Sequence, residues 1–175
     1  MRKVTILAVA LMIGTGCAFA ASVAIPWFVD NAPAYAGLPP TSGVTCLITI
    51  KNNLNSTFNG EITYYNESGQ LLGPPFPNNT FEVAANAAVA FRPVRYDYGQ
   101  AGGQEGLPGS LIPDRPRGDI DVDGNGTIDI VDGKKNGSCT ITWVGGAGDL
   151  QGQLAWIQNA GGMIVSFAHL LPPGV

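Results

Sequence analysis

The sequence predicts an all-β protein, a single β-sandwich of Ig-like or jelly-roll-like architecture, on three observations. Gly and Pro are frequent, 24 and 13 of 175 residues, and are spread along the chain. No stretch beyond residue 20 keeps apolar residues at the spacing of an amphipathic helix. Short alternating runs of Val, Ile, Thr and aromatics recur instead between turn signals, which is how a sandwich is spelled.

Residues 1–20 precede that pattern and read as a secretory signal. Arg2 and Lys3 supply a positive start, Val4–Ile13 is an uncharged apolar run, and Ala18-Phe19-Ala20 has the small-x-small form of a signal-peptidase site. The run is short for a bilayer span, and Gly14 and Gly16 weaken it as a helix. Cleavage after Ala20 is expected. Lipidation at Cys17 is the lesser reading, because Gly14 stands where lipoprotein signals usually carry Leu. The exported domain is then 21–175, secreted or extracellular, at the cell surface or in the periplasm of a bacterial-type host.

The strand runs follow in order: Val23–Val29, Val44–Lys51, Glu61–Asn66, Thr80–Ala84, Ala87–Phe91, Cys139–Val144, Leu154–Gln158 and Met163–His169. Asn66-Glu67-Ser68-Gly69 and Asn159-Ala160-Gly161-Gly162 have the composition of hairpin turns. Two segments break the rhythm. Asn31–Gly43 carries Pro33, Pro39 and Pro40, and 99–118 is a Gly- and Pro-rich surface excursion that leads into an acidic loop, 119–133.

Charge and cysteine content narrow the function classes. The net charge is −4, and the signal holds two cations and no acid, so the exported part is more acidic still. Such a chain is a poor candidate for nucleic acid or anionic membrane. After residue 20 no apolar run is long enough for a membrane-spanning helix. Cys46 shares strand parity with Val44, Ile48 and Ile50, and Cys139 with Ile141 and Trp143, so both point into the core. In an oxidising compartment a Cys46–Cys139 disulfide is expected, and closing so long a loop would contribute roughly 3–5 kcal/mol.

The acidic loop carries the clearest chemistry. Calcium is a hard cation that takes six to eight oxygens. Asp121, Asp123 and Asn125 present side-chain oxygens at positions 1, 3 and 5 of a twelve-residue frame, and Gly126 stands at the sharp turn of position 6. Thr127 offers its carbonyl, Asp129 acts directly or through water, and Asp132 closes the shell. Ile128 is the apolar anchor. A register starting at Asp119 fails, because Ile130 would then occupy the last ligand position. This loop resembles the calcium-binding half-repeat of dockerin modules and, more broadly, EF-hand loops; Asp at position 12 is the dockerin-like choice. The resemblance covers 121–132 alone and implies the ligand set. The helices and the second copy of a dockerin are missing, since Gly133-Lys134-Lys135-Asn136-Gly137 breaks the chain at once. Calcium is therefore the expected cofactor, in a structural role: the ion relieves the crowding of four carboxylates and clips the end of a long excursion.

No catalytic constellation accompanies it. His169 is the sole histidine, and there is neither a G-x-S-x-G elbow nor a zinc-type His/Cys cluster. Glu61, Glu67 and Glu82 lie on or beside different strands, with nothing in the sequence to bring them together. Arg115-Pro116-Arg117 beside Asp114 reads as a solvated basic turn. Trp143 shares parity with core residues, whereas one of the adjacent Tyr64 and Tyr65 must face outward. The function expected is a non-enzymatic extracellular structural or adhesive subunit. Its partner would be another copy or a cell-surface or matrix component, and the apolar N-terminal strand Val23–Val29 is the candidate for self-assembly by donation to a neighbour's sheet. Folding back as the domain's own first strand is the simpler outcome for that segment. The alternative is a carbohydrate-binding module with a structural calcium, using Tyr64 or Tyr65 to stack on polysaccharide.

Overall fold

A computed structural model describes residues 20–29, 31, 38–93, 112–113, 115–116 and 136–172. Among them nine strands form two antiparallel sheets. In chain order these are β1 (Ala20–Val29), β2 (Gly43–Asn52), β3 (Phe58–Asn66), β4 (Leu71–Gly73), β5 (Thr80–Val83), β6 (Ala88–Phe91), β7 (Asn136–Val144), β8 (Leu150–Ala160) and β9 (Met163–Leu171). One sheet runs β1-β7-β3-β4, with β5 also paired to β3; the other runs β6-β2-β8-β9. The expected all-β sandwich is what forms.

Alternation explains the layering. Along β3 the buried residues Phe58, Gly60, Ile62 and Tyr64 alternate with Asn59, Glu61, Thr63 and Tyr65, and along β7 Cys139, Ile141 and Trp143 do the same. Period-two burial puts one face of each sheet against the other and the polar set in water. Ile25, Ile48, Ile50, Ile62 and Ile141 are fully buried between the sheets. At one end Phe58 packs against Phe81 and Trp143, with ring centroids 6.1 and 5.6 Å apart in tilted geometry.

Turn chemistry fixes the registers. In the β8–β9 hairpin Gly161 and Gly162 both have positive φ, 63° and 94°, as a type I′ turn requires. Asn159 anchors that turn by accepting the Gly162 N–H at 2.9 Å, while its amide donates to Pro40 O at 3.0 Å. After β3, Asn66 Oδ1 accepts the N–H groups of Ser68 and Gln70 at 3.0 and 2.8 Å, which turns the chain into β4. Asn52, fully buried at the end of β2, donates to Ser56 O, Val83 O and Ala84 O and accepts from Leu54 N–H. One amide therefore ties together the β2–β3 and β5–β6 turns.

Two expectations about the core and the N-terminus are now decided. The N-terminal strand folds back: β1 pairs with β7, Val23 opposite Ile141 and Ile25 opposite Cys139, and forms an edge of its own sheet. The cysteines do point inward, but the expected Cys46–Cys139 disulfide is absent. Cys46 lies on β2 and Cys139 on β7, in different sheets. Cys46 Sγ instead donates to Val29 O at 2.8 Å and receives the Val29 N–H at 3.2 Å, so it holds the end of β1 against β2. Strand parity chooses a face and leaves the position of the partner open.

Candidate functional site

All six expected calcium ligands, Asp121, Asp123, Asn125, Thr127, Asp129 and Asp132, lie outside the described residues, as do Asp119 and Arg117. What the structure does describe is the root of that loop. Residues 112–113 and 115–116 reach the sheet carrying β3 and β7 just before the acidic segment, and β7 begins at Asn136 just after it.

That root is held by three contacts. Ile112 is buried with the core. The Tyr64 hydroxyl donates to Pro113 O at 2.9 Å. Arg115, only 1% exposed, donates from Nη2 to Asn136 O at 3.2 Å. The last contact joins the described residues on either side of 117–135. Pro113 and Pro116 stiffen the short segment that makes these contacts.

Arg115 is the electrostatic oddity. Burial holds its guanidinium below the ordinary Arg value, against the opposing pull of Tyr64 and Glu67. Its Nε has no hydrogen-bond partner among the described residues. A buried cation is costly unless paired, and it remains only where surrounding negative charge compensates it. The sequence reading of Arg115 as part of a solvated turn is thus corrected. The missed signal was Ile112 between turn residues, an apolar anchor that draws its neighbours onto the sheet.

The other candidates are dispersed. Tyr64 is fully buried and its hydroxyl engaged, so it is withdrawn as a stacking platform, while Tyr65 is half-buried on the outward face. Trp143 is in the core as expected, its indole N–H donating to Gly146 O at 3.0 Å. Trp27 is 40% exposed on β1. Glu61 stands opposite Thr80 and Glu82 opposite Asn59, which puts both carboxylates on the outer face in a diagonal relation. They border an open cleft of about 1310 Å³ lined also by Thr80, Thr142 and Trp143. Glu61 receives the Asn79 amide at 3.2 Å. His169 is exposed on β9, in the opposite sheet, facing Leu154 across the pair. Among the described residues no three His, Cys, Asp or Glu side chains gather as a metal site, and no helix is long and apolar enough to cross a membrane.

Comparison with known proteins adds little to this geometry. No family model matches the chain, and no curated protein matches it. The crystal structure of Thermotoga maritima 1070 resembles it with a TM-score of 0.46 and 11% identity, over 86% of this chain and 91% of that one. A likeness at that level carries no argument about function.

Proposed function

We infer that the chain is a non-enzymatic exported domain, stabilised by calcium bound at 121–132, that serves as an extracellular structural or adhesive subunit. The observation that carries this reading is the buried Arg115–Asn136 bridge at the loop's root. A metal loop whose ends are already held together at a sheet loses less chain entropy on closing round an ion than one with free ends. Five Asp residues between 119 and 132 follow that root directly in the sequence. The ligand frame from Asp121 to Asp132 supplies the chemistry for a hard cation.

In this role the ion clips the long connection between β6 and β7, which joins the two sheets. Binding to the folded form alone stabilises it by about 2.7 kcal/mol at a hundredfold excess of free calcium over the dissociation constant. The test is thermal unfolding in calcium and in chelator, for the parent and for Asp121→Ala. The parent should melt at clearly lower temperature in chelator, and Asp121→Ala in calcium should match it. A parent transition that ignores the chelator would remove the metal and most of the reading with it.

A further inference from the structure

The edges of the two sheets differ in a way that bears on assembly. A bare edge strand exposes unpaired N–H and C=O groups, and folded proteins normally blunt it with charge, proline, a bulge or brevity. Three edge positions follow that rule. β1 carries Pro26 and a register shift between Ile25 and Phe28; β4 is 3 residues long and runs straight into Pro74; β6 is 4 residues long.

β9 does none of this. It is 9 residues long, pairs with β8 in continuous register, and contains no proline and no Asp, Glu, Lys or Arg. Nor does it alternate in burial: every residue from Met163 to Leu170 is exposed, so the described residues cover neither face. Met163, Ile164, Val165, Phe167 and Leu170 are 66, 46, 45, 55 and 64% exposed. Met163, Val165 and Phe167 lie on one face of the strand and Ile164 and Leu170 on the other, so the edge is apolar on both sides. Trp156 on β8 continues the patch, packed on Phe167 at 5.1 Å.

We propose that β9 is a homotypic interface, at which the β9 strands of two copies pair antiparallel across a two-fold axis and join their sheets. The occupant follows from three features of the strand. Pairing with itself satisfies the unpaired backbone of both edges together, and a two-fold contact closes without propagating. With the axis at Phe167, Ile164 meets Leu170, Val165 meets His169 and Ser166 meets Ala168, so no two acidic or two basic side chains oppose each other. The seam also sets apolar side chains beside apolar ones on both faces of the joined sheet, Ile164 beside Leu170 on one and Phe167 beside its own copy on the other. The inference deepens the proposed subunit role and replaces the N-terminal strand, already paired in its own sheet, as the means of assembly.

The experiment is sedimentation equilibrium of the purified protein in calcium from about 1 µM to about 1 mM. The variants are Val165→Lys and Ile164→Lys, one on each face, with Leu71→Lys on β4 as a charge control at another exposed site. The parent and the control should show a monomer–dimer equilibrium, and each β9 variant should weaken it about tenfold or more while keeping the parental melting temperature. A parent that stays monomeric throughout, or a dimer indifferent to both β9 variants, overturns the interface. So does a monomeric parent that binds zwitterionic or anionic lipid vesicles, or a polysaccharide panel, through the same residues. A melting transition indifferent to chelator would overturn the calcium reading and leave this result standing, so the two failures are distinguishable.

Discussion

The buried thiol of Cys139 has a consequence at high pH. Cys139 is wholly enclosed, and burial pushes its thiol far above the ordinary value of 9.0. In the unfolded chain that thiol ionises near its ordinary value, so above pH 9 the unfolded state loses a proton that the folded state retains. Stability depends on pH with the sign of the proton difference between unfolded and folded states. The unfolded state binds fewer protons here, so the contribution is fully present below pH 9 and is lost as pH rises. One thiol gives a limiting slope of about 1.4 kcal/mol per pH unit, or about 2 kcal/mol by pH 10.5.

Cys139→Ala isolates the effect. The substitution removes the sulfur at every pH, a constant loss of about 1 kcal/mol for a small cavity. It also removes the titration, so the gap between parent and variant should shrink and then reverse between pH 8 and about 10.5. The assay is urea unfolding across that range in oxygen-free buffer without reductant, comparing midpoints at constant m-value. Other titrating groups are common to both proteins and cancel. If the thiols were joined, the parent would hold no thiol proton in either state, and the gap between parent and variant would not shrink and reverse as pH rises. That result, or an intact mass short by two hydrogens, would refute the absence of the Cys46–Cys139 bond.

Two further substitutions test how the sandwich is tied. Asn52→Ala deletes four hydrogen bonds of a fully buried amide and leaves backbone groups of both turns unpaired, so it should cost about 3 kcal/mol in urea unfolding; a loss under about 1 kcal/mol would show that water replaces the amide. Gly137→Ala places a Cβ against Tyr65 O of the neighbouring strand, where the obstacle is backbone and cannot swing aside. It should lower the melting temperature by several degrees, corresponding to about 1–3 kcal/mol, and an unchanged melt would contradict the β3–β7 register.

The strands were legible because nearly all of them alternate, and alternation is the physical requirement of a half-buried sheet. Hydrogen-bond pairing then extends them past their apolar cores, so β8 starts at Leu150, ahead of the apolar stretch at Leu154. β4 has no pattern to read: it exists because the Asn66 turn folds Leu71 back beside Tyr65. The cysteines show the limit of periodicity. Their parity gave the correct face, but their heights along two separate sheets depend on registers that no local run encodes. Arg115 fails for a different reason, since its burial is imposed by Ile112 and Tyr64 from outside the basic turn. The acidic frame is legible as chemistry because ligand spacing is local, and the clamp at its root is long-range.

The loop root and the β8–β9 turn lie at the same end of the sandwich. Asn136 pairs with Val29, Val29 is bound by Cys46, Cys46 pairs with Trp156, and Trp156 pairs with Phe167. Proximity of this kind could couple metal binding to assembly, yet the connections argue against strong coupling. The root acts on β7 and the end of β1, whereas the register of β9 is set along its whole length by β8 and by the two glycines of its turn. On the proposed calcium reading, loss of the ion acts on the loop between β6 and β7 and leaves the β8–β9 pairing intact. Chelation should therefore lower the melting temperature while leaving association nearly unchanged at temperatures well below the transition. If dimer affinity instead fell in step with stability, the interface would have to include the loop, and β9 would be only part of it.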